Sequence, residues 1–276
     1  RLLLKIVKNQ MDMIGELERA GLSPLRDEPL SSHTSFKIGG PADAFVTVKT
    51  RAQAAAALRI AHKSGAPVFF LGWGSNLLVR DGGVRGLTVS LGGDFEKIEF
   101  PGPALVRVGA AVRVPQLVVS CAEKGLSGLE PIVGVPGCVG GALVMNAGTR
   151  EGEIGPYVEE VEIMNEEGLS SAVTRSNLRF DYRSSNLGKF LVLSALLRLK
   201  SGVKADIMAV VARQQQKRLQ TQPIHTYNVG STFKNPPGLF AAQMIEQLGL
   251  KGHVVGGARI SPMHANFIEN FAGAKA

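Results

Sequence analysis

Cysteine, aromatic residues and long apolar runs are all scarce in this sequence. Cys121 and Cys138 are the two cysteines in 276 residues. They form no CxxC and have no His at metal-ligand spacing, which argues against a disulfide scaffold and a cysteine metal site. They read as two buried, reduced thiols in a reducing compartment. The five His are His33, His62, His225, His253 and His264. None pairs at H-x-x-x-H or H-x-x-E-H spacing, so no metal is expected. His264, in Met263-His-Ala-Asn-Phe267, is read as a structural histidine.

One Trp and a net charge of +8, with Lys and Arg scattered, do not give the basic-aromatic stripe of a nucleic-acid binder. A basic surface also attracts small anionic substrates. No window of 18 apolar residues exists, so nothing is expected to span a membrane. The opening run is broken by Lys5, Lys8, Asn9 and Gln10 and has no small-residue cleavage site, unlike a signal peptide. It reads as a helix with Leu3, Ile6, Val7, Gln10, Ile14 and Leu17 on one face and Gly21 as its stop. A cytoplasmic chain is expected. It opens on Arg1, not Met, and reads as lacking its start.

Glycine is what the sequence has in excess: 33 of 276 residues, about 12% against a usual level of about 7%. The excess clusters at 72–93 and 125–156, between apolar runs, where tight turns or close ligand approach need it. Thr50-Arg-Ala-Gln53 is a capping box that opens an Ala-rich helix ending at Gly65. Pro67–Leu71 reads as a buried strand, and Asn76–Val79 as strand-like. Leu87–Leu91, Leu105–Val108, Val158–Met164 and Leu191–Leu199 read as further strands. Pro115 and Gly125 bracket a helix. Residues 203–220 read as helical with a solvated basic-polar face, and Leu239–Leu248 as a helix opened by Pro237 and closed by Gly249. A short strand lies between Gly256-Gly257 and Ser261-Pro262. Residues 129–149 show no clean period. The mixed order is α+β, with a boundary near 200–222.

Four segments carry candidate chemistry. Leu71-Gly-Trp-Gly-Ser-Asn-Leu-Leu78 follows a strand, and its N–H groups suit a pyrophosphate; a Gly-rich hairpin is the alternative. It lacks the third Gly of a dinucleotide fingerprint and the Gly-Lys-Ser/Thr of an ATP loop. Gly134-Val-Pro-Gly-Cys-Val-Gly-Gly141, with Met145-Asn-Ala-Gly148, suits a backbone wall against a flat ligand, or a buried crossover. Ser231, beside Thr232, Lys234 and Asn235, is a candidate hydroxyl for an anionic substrate, or a turn residue. Tyr182-Arg183 could hold a carboxylate, or Arg183 could pair with Asp181 on a surface turn.

In this order the segments resemble the UDP-N-acetylenolpyruvylglucosamine reductase (MurB) family, in the variant without a lid insertion. The matching pieces are His33–Asp43, Gly72–Leu78 with Asp81-Gly-Gly83, Gly134–Gly148, Tyr182-Arg183, Gly230–Pro236 and His264–Phe267. The resemblance implies an α+β chain: an FAD-binding domain of the vanillyl-alcohol-oxidase (PCMH) type in two subdomains over 33–200, after a lead-in over 1–32. A smaller α+β substrate domain covers 201–276 and reads as truncated. FAD would be held by Leu71, Gly72, Trp73, Gly74, Ser75, Asn76, Leu77, Gly134, Val135, Pro136, Gly137, Gly140, Gly141, Asn146 and Gly148.

The implied reaction is reduction of the enolpyruvyl group of a UDP-sugar, with NADPH as electron donor through FAD, in peptidoglycan precursor synthesis. Arg183 would polarise the substrate carboxylate and Ser231 would donate the proton; Tyr182, Lys234 and Asn235 would contact substrate. The family's C-terminal catalytic Glu has no counterpart in matching context, and Glu269 is not given that role. A monomer is expected, with no nucleic-acid partner. The competing readings are an FAD oxidase or dehydrogenase of a small hydroxy acid, and a non-enzymatic nucleotide-binding domain.

Overall fold

A computed structural model describes residues 13–276. The face expected at Leu3–Gln10 lies outside these residues. Residues 13–19 are helical (α1), and Met13, Ile14 and Leu17 are buried. Gly21 closes the helix at φ +76°, with Leu22 N–H donating to the Leu17 carbonyl at 3.1 Å.

The chain divides into two compact units. The first comprises 13–28, Ala42–Gly72 and Arg85–Gln214. It is built around two sheets. The four-stranded sheet holds β1 (Leu25–Pro29), β2 (Pro41–Val48), β3 (Val68–Phe70) and β4 (Val84–Leu91) in the order β1-β2-β4-β3. Helix α2 (Arg51–Ser64) packs Ala54, Ala57, Leu58 and Ala61 into its core with β2 and β4. The alanines let the helix approach the strands closely. Thr50 accepts the Gln53 N–H as foreseen, but Gln53 Oε1 takes the Lys49 N–H at 2.8 Å, one residue beyond the usual capping box.

The second sheet holds β5 (Ile98–Gly102), β6 (Leu105–Gly109), β8 (Val158–Met164), β9 (Ser170–Thr174) and β12 (Leu191–Arg198), ordered β5-β6-β12-β8-β9 and antiparallel throughout. Helices α3 (Val114–Glu123) and α4 (Val139–Val144) share its core. The central strand β12 contributes to both cores, with Val192 already in the second. Leu191 and Leu193 belong to the first core, with α2, whereas Ala195 and Leu197 belong to the second, with α3. All four are odd-numbered, so regular alternation would put them on one face. The register shift between Val192 and Ser194 against β8 resets the alternation.

Short ladders complete the first unit: β7 (Leu126–Ser127) with β13 (Lys200–Ser201), and β10 (Phe180–Asp181) with β11 (Ser184–Ser185). Helix α5 (Lys204–Thr221) follows and contains the division after Gln214.

The second unit comprises Pro29–Pro41, Trp73–Val84 and Gln215–Ala276. Its helix α6 (Ala241–Gln247) starts later than the Leu239 expected, because Gly238 at φ +71° cannot continue a helix from Pro237. Strands β14 (Val254–Val255), β15 (Ala258–Ile260) and β16 (Ile268–Asn270) form a three-stranded antiparallel sheet.

Two other expectations shift. Pro67–Leu71 is a three-residue edge strand that is half-buried, since only β4 pairs with it. Asn76–Val79 forms no strand: nothing in the chain pairs with it among the described residues, although Val79 is buried.

Leu197 is fully buried at the middle of the larger core. Leu197→Ala should lower unfolding free energy by about 2–5 kcal/mol. Urea titration monitored by circular dichroism reads this directly.

Candidate active site

The first glycine segment changes character at each residue. Leu71 is buried and donates its N–H to the Val89 carbonyl at 2.9 Å, extending the edge of β3. Gly72, Trp73 and Asn76 are exposed, Ser75 and Leu77 half-buried, and Gly74 is buried. Gly74 sits at φ +63°. A Cβ there would stand 2.8 Å from Thr34 Cα and closer still to the His33 carbonyl oxygen. Its carbonyl accepts the Ser35 N–H at 3.1 Å. Gly74 is therefore fixed by packing on the His33–Ser35 backbone. Gly72 differs, because its nearest neighbour would be Cys138 Cβ at 3.9 Å, an ordinary contact. Among the described residues, no backbone or side-chain acceptor is recorded opposite the N–H of Gly72, Gly74 or Asn76. Closely spaced N–H groups without partners suit a diphosphate.

The second glycine segment contains a helix that its irregular period hides. In α4, a Cβ on Gly140 would stand 3.1 Å from Ala110 Cβ, while Gly141 is open, with nothing within 4 Å of where a Cβ would stand. Gly137 is buried, Gly134, Val135, Gly140 and Gly148 are half-buried, and Pro136 and Gly141 are exposed. Cys121 is buried, and that burial, with Glu130 nearby, pushes its thiol up to about 12. Cys138 is only half-buried, so the pair is not two buried thiols as expected. Within the first unit, Gly72 and Gly141 each leave backbone open to solvent.

Tyr182 and Arg183 form the two-residue tip of the β10–β11 hairpin. Arg183 adopts φ +55°, an uncommon backbone for a residue with a side chain. Its guanidinium donates to the Gly148 carbonyl at 2.6 Å and the Asn146 carbonyl at 3.4 Å. It also lies 5.2 Å from the Tyr182 ring centre. Arg183 does not pair with Asp181, so the surface salt bridge considered from sequence is not formed. Tyr182 is half exposed.

In the second unit, Ser231 bridges Phe267, beside β16, and is exposed. Thr232 N–H donates to the Asn266 carbonyl at 2.8 Å. The buried Asn266 amide then clamps Phe233, accepting its N–H and donating to its carbonyl, both at 2.9 Å. Lys234 and Asn235 are exposed, and Asn235 Oδ1 accepts the Ala241 N–H at 3.1 Å, where α6 begins. Glu269 is buried and bonds Arg259 at 2.8 Å across β15 and β16.

Known proteins match most of this chain. Residues 42–171 match the FAD binding domain family, and residues 222–276 match the C-terminal domain of UDP-N-acetylenolpyruvoylglucosamine reductase. UDP-N-acetylenolpyruvoylglucosamine reductase 2 of Symbiobacterium thermophilum is 42% identical over 91% of this chain and 82% of its own length. The Bacillus licheniformis reductase is 40% identical over 91% and 84%. This chain belongs to the UDP-N-acetylenolpyruvoylglucosamine reductase family.

The crystal structure of the Thermus caldophilus reductase (MurB) superposes with a TM-score of 0.81 at 38% identity, over 92% of this chain and 90% of that one. A more distant protein, Physcomitrella patens BBE-like 1, shares the fold at 16% identity and a TM-score of 0.51, over 68% of this chain and 44% of that one. The fold is thus the PCMH-type FAD-binding fold, in an α+β chain, as the resemblance implied. The chain is an oxidoreductase with an FAD-binding domain, which removes the non-enzymatic alternative.

Within this reductase family, sequence reading passed over what Asn266 does. It singled out His264 in the same run of residues, and the fold shows the amide two residues later holding the strand of Ser231. His264 is half-buried and edge-on to Phe267, with ring centres 4.6 Å apart. Its Nδ1 accepts the Asn266 N–H at 3.3 Å. Burial is the main cause holding its pKa below the usual value. Lys251 adds to that effect, while a backbone hydrogen bond and Glu246 oppose it. Among the described residues, no helix is long and apolar enough to cross a membrane, and no group of three or more His, Cys, Asp or Glu could hold a metal ion.

Two glycine substitutions separate packing from ligand contact. Gly74→Ala should destabilise the protein, because the new methyl collides with the His33–Thr34 backbone. Gly72→Ala should leave the melting temperature unchanged and weaken FAD binding. Thermal melts and flavin fluorescence titrations of both variants report the two quantities.

His264 gives a pH dependence of stability. Its folded pKa lies below the unfolded value of 6.5, so the unfolded state binds more protons between the two. Stability should fall as pH drops through about 6.5, and His264→Gln should flatten that slope. An unchanged slope in denaturant titrations across this range would contradict the assignment.

Proposed function

We propose that this chain reduces the enolpyruvyl group of UDP-N-acetylglucosamine enolpyruvate to the lactyl ether, with NADPH as electron donor, in cytoplasmic peptidoglycan precursor synthesis. Family membership supports the substrate class. The observation that carries the residue assignment is the Arg183 guanidinium seated on the carbonyls of Asn146 and Gly148, which lie within the residues matching the FAD binding domain family. Both acceptors are neutral carbonyls, which fix its direction without themselves neutralising its charge.

Gly72–Leu77 hold the FAD diphosphate through backbone N–H groups, and Gly134–Gly141 with Gly148 present backbone to the ring system. When bound, FAD supplies the hydride-transfer chemistry between NADPH and the enol, which no side chain here can perform. The protein provides position and charge. Arg183 binds the substrate carboxylate and stabilises the negative charge that grows on it as the enol carbon is reduced. Ser231 donates the proton to the adjacent carbon. A serine hydroxyl is a weak acid, so it needs a proton supply from neighbouring groups or solvent. Tyr182, Lys234 and Asn235 contact the sugar nucleotide; the cationic Lys234 suits its phosphates. The chain acts as a monomer.

Anaerobic stopped-flow separates the two halves of the reaction. In Ser231→Ala, flavin reduction by NADPH should persist while enol reduction slows roughly 100- to 10,000-fold. Arg183→Ala should retain its FAD and lose enol reduction. Normal rates for both half-reactions in Ser231→Ala would remove Ser231 from the mechanism, and loss of FAD from Arg183→Ala would make Arg183 structural.

A further inference from the structure

We propose that Asn146 is the positioning residue for Arg183, acting through the β10–β11 hairpin rather than by touching flavin or substrate. This rests on the role given to Arg183 above.

Asn146 is fully buried. Its Nδ2 donates to the Asp181 carbonyl at 3.1 Å, and its Oδ1 accepts the Gly155 N–H at 3.1 Å. Both polar atoms of the amide therefore have partners inside the chain. Its own carbonyl accepts from Arg183 Nη1 at 3.4 Å. One residue thus grips the hairpin twice, at the last residue of β10 and at the guanidinium of the tip. Ser185 Oγ adds a separate tether from β11, donating to the Val144 carbonyl at 2.9 Å.

The position makes three demands together. The backbone sits at φ +43°, the side chain must donate, and it must accept. Asparagine tolerates left-handed backbone and carries both functions. Glycine meets only the backbone demand. Aspartate lacks the donor and would bury a charge. The surroundings are built to the amide: a Cβ on Gly155 would stand 2.8 Å from Asn146 Oδ1 and 2.8 Å from Phe180 Cγ.

The test is a double-mutant cycle on the FAD-loaded protein with Asn146→Gly, Arg183→Ala and the pair. Asn146→Gly keeps the left-handed backbone and removes the amide. It should slow enol reduction roughly 10- to 100-fold, the scale of a small misplacement, and leave flavin reduction by NADPH and FAD affinity unchanged. In the Arg183→Ala background it should have no further effect, because one interaction cannot be lost twice. Hydrogen exchange should quicken at Asp181–Ser185 and stay unchanged in β8 and β12.

Equal losses in both backgrounds overturn the proposal, as does weakened FAD binding, which would make Asn146 a flavin contact. If Arg183→Ala leaves enol reduction intact while Asn146→Gly still frees the hairpin in hydrogen exchange, the proposed role of Arg183 fails and the positioning stands. Should Asn146→Gly not fold, Ser185→Ala loosens the same hairpin from its other strand. A slowed enol step that vanishes in the Arg183→Ala background supports the proposal, and an additive loss overturns it.

Discussion

The amides of Asn146, Asn266 and Asn270 bond to backbone rather than to other side chains, and the irregular segments depend on them. Asn146 holds Asp181 and Gly155; Asn266 holds both polar groups of Phe233; Asn270 donates to the Phe36 carbonyl at 2.9 Å and accepts the Ala274 N–H at 2.9 Å. All three side chains are buried. A loop that enters a protein interior loses water from its backbone groups, and each unpaired group costs roughly 1–3 kcal/mol. An amide answers a donor and an acceptor at once, so it can replace a missing strand neighbour. The candidate reactive residues, Arg183 and Ser231, both stand within two residues of backbone held this way.

The regular elements set the places where such loops begin. Strand β12 turns side chains to both cores, Val192, Ala195 and Leu197 to one and Leu191 and Leu193 to the other, and its bulge shifts the alternation after Leu193. The turn of Asp81-Gly-Gly83 lies against Gly40 and Pro41 so tightly that a Cβ on Gly40 would meet Gly83 N at 2.6 Å. That close approach requires Gly at positions 40 and 83, whereas Gly82 has open space around it. Glycine here serves contact between backbones in some places and open backbone in others, and only the fold separates Gly74 from Gly72.

Elements with a strong local signal were legible from the chain. Thr50, Gln53 and Gly65 bound α2 by hydrogen bonds spanning a few residues, and β8 and β12 declare themselves through β-branched and apolar runs. Signals that depend on distant partners were not legible. Helix α4 has six residues, two of them Gly, too few to show a period. The run Asn76–Val79 has strand composition but no neighbour to pair with. Asn146 and Asp181 are separated by 35 positions, and Asn266 and Phe233 by 33. Nothing near Asn146 in sequence marks its amide as a support for Arg183. The order of the motifs carried the family and the fold, whereas the division of labour among residues within each motif required contacts.

Two arginines show how the surroundings decide what a charge is for. Arg259 faces the buried carboxylate of Glu269 at 2.8 Å and lies 5.0 Å from the Phe271 ring centre. Its charge is balanced inside the protein, and removing either partner would strand the other. Arg183 is held instead by two carbonyls and an aromatic ring, none of which carries a net charge. A carboxylate partner such as Asp181 would have balanced it, and an incoming anion would then have had to break an ion pair before binding. Carbonyl oxygens supply direction without neutralisation, so the guanidinium keeps its attraction for an anionic ligand while its rotamer entropy is already spent. The strained φ of Arg183 and the left-handed Asn146 beneath it are the backbone cost of that arrangement.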